Sequence, residues 1–381
     1  MTMSSSTSDY HHSHPTTWPQ GKSLALQKAI VPLSSKSHKG SSGRIAILGG
    51  NAQYTGAPYY ASMACLHSGA DLAYVLTAHE ATLPLKCYSP ELMVTSIYKA
   101  HEFDDIVKNY RQESSTNNND DTIHDSDLDW DHCPPAQDAI NSLIDKAMPL
   151  LERAHCLIVG PGLGRCPLVQ EAIAKLLTKI IQNQRPLPLV LDADALYLLS
   201  LPRYRHILQD YPHVVLTPNV VEYQRLLSSN DKDDDKLSVD AFDHMWIVKK
   251  GKDDVIGQGN YQKQYTKDDS NTSNLWFCQE KGGLKRSGGI GDILSGTLGT
   301  LVAWHYILNE RRDNEEEEET KESSSSSNTA DLGLACWTAC CFVKRATEAA
   351  FTSKGRAMTA PDILDELGPT VVSMTSDEVD D

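Results

Sequence analysis

In the first quarter of the chain, a strand, a glycine-rich loop, a helix and a second strand follow one another. The apolar run at 44–48 is typical of a buried strand, and it leads directly into Gly49 and Gly50. Pro58 is well placed for the first turn of a helix, and residues 72–77 have the composition of another strand. This order of elements predicts an α/β fold with a mostly parallel sheet, in which ligands bind at the carboxyl ends of the strands.

Three later apolar runs predict strands that end in loops with candidate ligand contacts. They are 156–159 before Gly160, Gly162 and Gly164, 189–191 before Asp192 and Asp194, and 214–216 before Pro218. The glycine loop indicates positive φ angles or a close ligand, although a simple turn has the same composition. Asp194 is equally compatible with a helix cap. The first loop does not follow the dinucleotide pattern G-x-G-x-x-G, and the sequence contains no Walker A motif.

Acidic residues are concentrated in three polar segments of the 381-residue chain. Residues 113–131 carry seven acids and no Lys or Arg, 310–322 carry eight acids and three bases, and 375–381 carry four acids. Outside these segments the chain is nearly neutral, although its net charge is −16. This distribution argues against nucleic acid as a partner. No apolar run is long enough to span a membrane, and nine scattered cysteines without a C-x-x-C pair indicate a reducing compartment.

The hydrophobic content of 40% is sufficient for a substantial core. We expect a single catalytic domain over 38–370, preceded by a flexible segment, 1–37, and followed by an acidic tail, 371–381. The polar sequence near 112–135 and 309–330 predicts disordered insertions in that domain.

Residues 281–296 combine a basic pair, a glycine cluster, one carboxylate and an apolar run with helical spacing. Glycines at 288, 289 and 291 allow backbone N–H groups to approach a ligand, and a helix N-terminus favours an anion such as a phosphoryl group. Asp292 would repel a phosphate, but it suits a base that acts on a hydroxyl group attacking a phosphoryl group. A glycine-rich loop with an Asp cap explains the same residues equally well.

A second ambiguous motif lies after the strand at 214–216. Asn219 and Glu222 are three residues apart, so they share one side of a helix that begins near Pro218. An amide and a carboxylate at this spacing can hold water ligands of Mg²⁺. The same two residues also satisfy the pattern of a capping box.

Taken together, the motifs resemble those of the ATP-dependent (S)-NAD(P)H-hydrate dehydratases of the ribokinase-like superfamily. The matching segments occur in the family order between residues 38 and 367. They are His38-Lys39-Gly40, Gly49-Gly50, Tyr54-Thr55-Gly56-Ala57-Pro58, Gly69-Ala70-Asp71-Leu72, Tyr88-Ser89-Pro90-Glu91-Leu92, Gly160-Pro161-Gly162-Leu163-Gly164-Arg165, Asp192-Ala193-Asp194, Thr217-Pro218-Asn219 with Glu222, Lys250-Gly251 with Asp254, and Arg286-Ser287-Gly288-Gly289-Ile290-Gly291-Asp292.

This resemblance implies a three-layer ribokinase-like fold and an ATP-driven repair reaction on hydrated NADH or NADPH. ATP phosphorylates the ring hydroxyl of the S epimer, and phosphate then leaves by elimination. Asp292 would be the catalytic base, and Glu222 would help to hold Mg²⁺ through water. The expected contacts with the hydrated coenzyme are Gly164, Asn219, Val220, Val221, Glu222, Tyr223, Gln224, Arg225 and Asp292. The expected contacts with ATP are Lys250, Gly251, Lys252, Asp253, Asp254, Gly282, Gly283, Leu284, Lys285, Arg286, Ser287, Gly288, Gly289, Ile290 and Gly291.

The chain departs from many bacterial relatives at two motifs. They have Thr-Pro-His-Pro-Gly-Glu at the positions of residues 217–222, and Thr at the position of Ile290. The version found here resembles the eukaryotic branch, which implies ATP rather than ADP as the donor. About 40 residues precede the first strand, so we expect the epimerase to be a separate protein. A cytoplasmic location is expected, while a mitochondrial or plastid pool and a homo-oligomer stay open. A small-molecule kinase of the same superfamily is the alternative function.

Overall fold

The computed structural model describes residues 14–118, 128–227, 242–259, 275–318 and 332–376, without the side chains of 114–118 and 313–318. Parts of the expected flexible segments therefore lie outside the described residues, namely 1–13, 119–127, 319–331 and 377–381.

The centre of the fold is one sheet with the strand order β3-β2-β1-β4-β5-β6-β7-β8-β9. Its strands are β1 (Arg44–Leu48), β2 (Leu72–Ala78), β3 (Met93–Tyr98), β4 (Cys156–Val159), β5 (Leu189–Leu191), β6 (Val214–Leu216), β7 (Trp246–Lys249), β8 (Asp254–Gln258) and β9 (Trp276–Cys278). Strands β1 to β7 pair in parallel, and β8 and β9 extend the sheet in antiparallel register. The predicted parallel sheet is confirmed, and its β-rich edge is formed by β7, β8 and β9.

Helices cover both faces of this sheet. They are α1 (Trp18–Lys28), α2 (Gly56–His67), α3 (His79–Tyr88), α4 (Ala100–Asn118), α5 (Pro134–Leu151), α6 (Pro167–Ile181), α7 (Asp194–Ser200), α8 (Val220–Leu227), α9 (Ile290–Glu318), α10 (Leu332–Lys354) and α11 (Ala360–Thr375). Alternate residues of β1 enter opposite cores: Ile45 and Ile47 pack with α2 and α9, and Ala46 and Leu48 pack with α5 and α6. The expected three-layer arrangement follows from this alternation. None of the described helices is long and apolar enough to cross a membrane.

The expectation of a flexible segment over 1–37 is wrong for its described part. The sequence predicted only a short helix near 24–30, but α1 begins at Trp18, whose side chain is 3% exposed. The Trp18 ring packs against Trp337 and Phe342 of α10. A buried aromatic side chain of this size stabilises the segment against the domain, which the polar composition of the segment concealed.

The other boundaries also need correction. Leu128 and Trp130, inside the expected insertion at 112–135, are each 1% exposed and belong to the core beneath α4 and α5. Helix α9 continues through the first residues of the insertion expected at 309–330, as far as Glu318. At the other end, α11 runs past the start of the expected tail to Thr375, because Val371 and Met374 continue its buried face.

Candidate active site

The glycine cluster after β9 forms the N-terminal turn of α9. Gly289 has φ +93°, and a Cβ atom there would lie 2.7 Å from the Cβ of Ala360, so only glycine fits without displacement. Helix α9 begins at Ile290, and Ile293 N–H donates to the carbonyl of Gly289. The first N–H groups of a helix have no partner within it, so this turn is suited to an anion.

A cavity of about 700 Å³, here called the first cavity, opens on one side of this turn. Its walls come from the loop after β7, the segment after β9, the start of α9 and one face of α10. The residues that line it are Asn219, Lys250, Gly251, Lys252, Asp253, Asp254, Gln279, Glu280, Lys281, Gly282, Gly283, Leu284, Arg286, Ser287, Ile290, Gly291, Leu294, Cys340, Val343, Lys344 and Thr347.

A cavity of about 880 Å³, the second cavity, opens on the other side of the same turn. It is formed by the loops that follow β1, β4 and β5 at their carboxyl ends, together with the start of α2. The residues that line it are Asn51, Gln53, Tyr54, Thr55, Gly56, Ala57, Tyr60, Gly162, Gly164, Arg165, Ala193, Asp194, Gly289 and Asp292. The two cavities are therefore separated by the first turn of α9.

Asp292 carries the perturbed carboxyl group of this region. Burial raises its pKa to about 7, and the nearby carboxylates of Asp192 and Asp194 add to this effect, while Lys250 opposes it. A carboxylate with a pKa near neutrality is well matched to accepting a proton from a hydroxyl group. It also faces the second cavity, so it can reach a ligand bound there.

An ion pair lies beneath the same turn. The ammonium group of Lys250 is 2.8 Å from Oδ1 of Asp192, and the hydroxyl of Thr217 donates to that same oxygen at 2.8 Å. Burial would lower the pKa of Lys250, but Asp192, Glu222 and Asp292 raise it above its ordinary value. Lys250 therefore stays protonated near neutral pH.

The second cavity has its own polar anchor in Asp194. Its Oδ2 accepts the N–H of Gly164 at 2.8 Å, and its Oδ1 accepts Nε of Arg165 at 3.2 Å. The guanidinium of Arg165 lies 4.2 Å from the centre of the Tyr197 ring. Asp194 thus fixes the glycine loop after β4 in addition to beginning α7.

Asn219 and Glu222 form a capping box at α8. The side-chain oxygen of Asn219 accepts the N–H of Glu222 at 3.0 Å, and the carboxylate of Glu222 accepts the N–H of Asn219 at 2.9 Å. The capping interpretation of this pair is confirmed. No group of three His, Cys, Asp or Glu suited to a metal ion occurs among the described residues.

Comparison with known proteins assigns the chain that carries this two-cavity site to one family. The family model described as NAD(P)H-hydrate dehydratase matches residues 45–115 and 132–369. The chain belongs to the NAD(P)H-hydrate dehydratase family. The ATP-dependent (S)-NAD(P)H-hydrate dehydratase of Neurospora crassa is 32% identical over 357 residues, which cover 90% of each chain. The protein of that name from Mus musculus is 30% identical, with 94% of this chain and 87% of the relative covered.

Solved structures share the fold of this family member. An ADP/ATP-dependent NAD(P)H-hydrate dehydratase from Bacillus subtilis, co-crystallised with ATP and Mg²⁺, is 18% identical with a TM-score of 0.54, covering 93% of this chain and 97% of that one. A ribokinase-like superfamily protein from Enterococcus faecalis is 21% identical with a TM-score of 0.57, covering 93% and 94%. At these identities the likeness concerns the fold, which is ribokinase-like.

Most residues expected to contact ATP in this NAD(P)H-hydrate dehydratase line the first cavity, but three do not. Lys285 donates from Nζ to the carbonyl of Met358, and Gly288 is absent from both cavity walls among the described residues. Gly289 lies in the wall of the second cavity. Sequence position alone did not distinguish these three residues from the neighbours that line the first cavity, because the loop turns sharply at Gly289.

Asp254 also has a structural task within the first cavity. Its carboxyl group is buried, accepts the N–H of Gly251 at 2.9 Å, and pairs with Lys344 at 3.4 Å. Lys344 comes from α10, about ninety residues away, and the sequence analysis did not find it. The basic pair Lys344-Arg345, directly after the apolar run of α10, was the available signal.

The expected coenzyme contacts divide between the two cavities. Gly164 and Asp292 line the second cavity, whereas Asn219 lines the first. The side chain of Tyr223 is 1% exposed and lies beneath Lys249, whose Nζ is 4.7 Å from the ring centre. Tyr223 therefore supports α8 instead of facing a ligand with its side chain. The remaining five expected contacts, Val220, Val221, Glu222, Gln224 and Arg225, form no part of either cavity wall among the described residues.

Proposed function

We propose that this protein removes water from the S epimer of hydrated NADH or NADPH, with ATP as the phosphoryl donor and ADP and phosphate as by-products. Relatives named ATP-dependent (S)-NAD(P)H-hydrate dehydratase match the chain along most of its length. In this proposal ATP occupies the first cavity and the hydrated nicotinamide ring enters the second. A separate epimerase would supply the S epimer, and the reaction would take place in the cytoplasm.

The observation that carries the proposal is the position of Asp292 at the boundary of the two cavities. A kinase-type transfer needs a donor and an acceptor hydroxyl on opposite sides of an anion-binding turn, with a base on the acceptor side. Gly291 of the turn lines the first cavity, the proposed donor side, and Asp292 lines the second cavity, the proposed acceptor side.

The chemistry then follows in two balanced steps. The carboxylate of Asp292 takes the proton of the ring hydroxyl while the hydroxyl oxygen bonds to the terminal phosphorus of ATP, and the bond from that phosphorus to ADP breaks. In the second step the carbon–oxygen bond breaks, phosphate leaves with the bonding electrons, and the neighbouring ring carbon loses a proton. The new double bond restores the reduced nicotinamide ring. N–H groups of the turn at Gly289–Gly291 would stabilise the transferred group.

The donor set fits Mg²⁺ brought in with the nucleotide. Mg²⁺ usually keeps several waters and needs only one or two carboxylates besides the phosphates of its ligand. One oxygen of Glu222 serves the capping box, and its charge acts on Lys250, so the carboxylate lies within electrostatic range of the first cavity. We propose that Glu222 orients waters of the ion, whose role is to neutralise phosphate charge.

A single assay tests the function. The protein is incubated with ATP, Mg²⁺ and the S epimer of hydrated NADH, while the NADH absorbance band, ADP and phosphate are followed together. We expect one ADP and one phosphate for each NADH restored. A small-molecule kinase would instead give no NADH, and ADP would form only with another hydroxyl compound as acceptor; that result would refute the proposal.

A further inference from the structure

Lys250 lies where the two cavities meet. A Cβ atom built on Gly291 would be 3.5 Å from Nζ of Lys250 and 3.9 Å from Oδ2 of Asp192. The ammonium group is therefore directly against the turn that separates the cavities. Lys250 lines the first cavity, and its positive charge also acts on Asp292, which lines the second cavity.

Lys250 is held in place by residues at the ends of two neighbouring strands. Asp192 follows β5 and is 2% exposed, and Thr217 follows β6 and is fully buried. The backbone N–H of Lys250 also donates to the carbonyl of Pro218 at 2.9 Å. In the described parts of the chain, Asp192 is the single acceptor for Nζ, so two of the three ammonium N–H groups point to no protein acceptor there.

The charges around the turn require a cation at this point. The carboxylates of Asp192 and Asp194 both act on the carboxyl group of Asp292 there. A phosphoryl group that enters adds further negative charge. Lys344, another partly buried lysine of the first cavity, is bonded to Asp254 and to the carbonyls of Gly251 and Lys252. Of these two lysines, Lys250 is thus the one with donors to spare.

We propose that Lys250 binds the phosphoryl group as it passes between the cavities, and that Asp192 and Thr217 are positioning residues that hold the lysine for this purpose. The inference rests on the proposed function, because it assigns a residue to the transfer step. It predicts that Lys250 recognises the terminal phosphate of ATP and leaves the rest of the nucleotide to other residues of the first cavity.

The first test is binding, which does not depend on the identity of the acceptor. Titration calorimetry with Mg²⁺ compares ATP and ADP on the parent, Lys250→Met and Lys250→Arg. We expect the parent to prefer ATP, the Met variant to lose that preference while it keeps its affinity for ADP within about threefold, and the Arg variant to keep part of it, since the positive charge is retained. An unchanged ATP preference in Lys250→Met would overturn the proposal.

The second test is turnover of hydrated NADH. Loss of one donor to a developing charge typically lowers kcat by about 10²–10³-fold, so we expect that loss in Lys250→Met, together with a rise in KM for ATP that matches its lost preference for ATP in binding. Asp192→Asn keeps an oxygen near the lysine but loses the charge, and we expect a smaller decrease in kcat. A rise in KM for ATP without a fall in kcat would assign Lys250 to nucleotide binding alone and refute the proposal.

The pH profile separates positioning from general structural damage. The charged groups that act on Asp292 are Asp192 after β5, Asp194 on α7 and Lys250 after β7. Lys250→Met removes the one cation, so the acid limb of kcat should move to higher pH, whereas Asp192→Asn should move it to lower pH. Shifts in the same direction would contradict the inference. If the parent itself restores no NADH, the proposed function fails, and the ATP-versus-ADP comparison still decides the role of Lys250.

Discussion

Gly291 and Asp292 are consecutive in the chain, yet they line different cavities. The first turn of α9 therefore contributes to the walls of both the proposed donor cavity and the proposed acceptor cavity. A base on this wall moves with the anion-binding N–H groups beside it, because all belong to one rigid helix. Few arrangements place a proton acceptor and a phosphoryl site so close without a flexible loop between them.

Replacement of Asp292 by Asn separates proton transfer from helix capping. Asn caps a helix about as well as Asp but cannot accept the proton. We expect turnover to fall by at least about 10²-fold while ATP binding stays the same or tightens slightly. Turnover within a few-fold of the parent would leave Asp292 as a cap only.

The same substitution should stabilise the protein at alkaline pH. The pKa of Asp292 is raised to about 7 in the folded state from an ordinary 3.8. Between these values the folded state binds the extra proton, so the free energy of unfolding decreases as the pH rises through this window. Thermal unfolding at pH 8 should therefore give a higher Tm for Asp292→Asn than for the parent, and a smaller difference at pH 5.

Glu222→Gln tests the metal role without disturbing the helix. Gln at this position completes a capping box as well as Glu does, so the fold and the Tm should be nearly unchanged. If Glu222 orients waters of Mg²⁺, the concentration of Mg²⁺ needed for half-maximal activity should rise severalfold, with little change in KM for the hydrated coenzyme. An unaltered Mg²⁺ requirement would restrict Glu222 to the cap observed with Asn219.

Ala193 stores backbone strain between two functional acids. It has φ 49° and ψ −112°, the one positive φ of a non-glycine residue in the described ranges. Strain of this kind costs about 1–3 kcal/mol, and glycine relieves it at an entropic cost of about 0.5–1 kcal/mol. We expect Ala193→Gly to raise the Tm slightly or leave it unchanged, whereas Ala195→Gly, inside α7, should lower it. A clear loss of stability in Ala193→Gly would show that the strain is small.

His305 should contribute to acid destabilisation. Burial, with smaller contributions from Arg312 and His213, lowers its pKa to about 4, whereas the unfolded chain titrates near 6.5. The unfolded state thus binds one more proton between these values, so stability is full above about pH 6.5 and is lost as the pH falls toward 4. His305→Gln should reduce the slope of unfolding free energy against pH in this range by up to about 1.4 kcal/mol per pH unit. Denaturant unfolding at several pH values measures this slope, and an unchanged slope would contradict the assignment.

Glu280 connects the N-terminal helix to the first cavity. Its carboxylate accepts the N–H of Trp18 and Nε of Arg345 at 2.9 Å, and it is 8% exposed. Hydrogen bonds to a charged group contribute about 1.5–3 kcal/mol each, so Glu280→Gln should lower the Tm and raise KM for ATP. Glu348→Gln is the matched control, because its ion pair with Lys281 is exposed and worth about 0–1 kcal/mol. Equal effects of the two variants would show that Glu280 does not anchor α1.

The sequence was informative wherever local patterns determine the structure. Apolar runs followed by glycine correctly predicted β1, β4 and their loops, because buried parallel strands need continuous apolar residues. The end of α11 was missed because Gly368-Pro369 indicates a stop, although burial of Val371 and Met374 outweighs that signal.

The site itself was only partly predictable, for a different physical reason. Motifs identified the turn before Asp292 and the loop after β7, since both are contiguous. The partner of Asp254 and the acceptor for Lys250 come from elements far away in the chain, so no local spacing reveals them. Asn219 and Glu222 present a different difficulty. Their spacing fits both a capping box and a site for the water ligands of Mg²⁺, and the observed hydrogen bonds establish the capping box.

The walls of the two cavities come from different parts of the gene. The second cavity is built from residues 51–60, 162–165 and 193–194, the first from 219 onward, and only the turn at 289–292 contributes to both. In the proposed assignment, mutations of the acceptor wall other than those at Gly289 and Asp292 therefore fall in one half of the coding sequence, and mutations of the nucleotide wall fall in the other. Recombination within the first 200 codons would therefore exchange most of the acceptor wall, and with it Asp192, the residue that holds Lys250 of the other half.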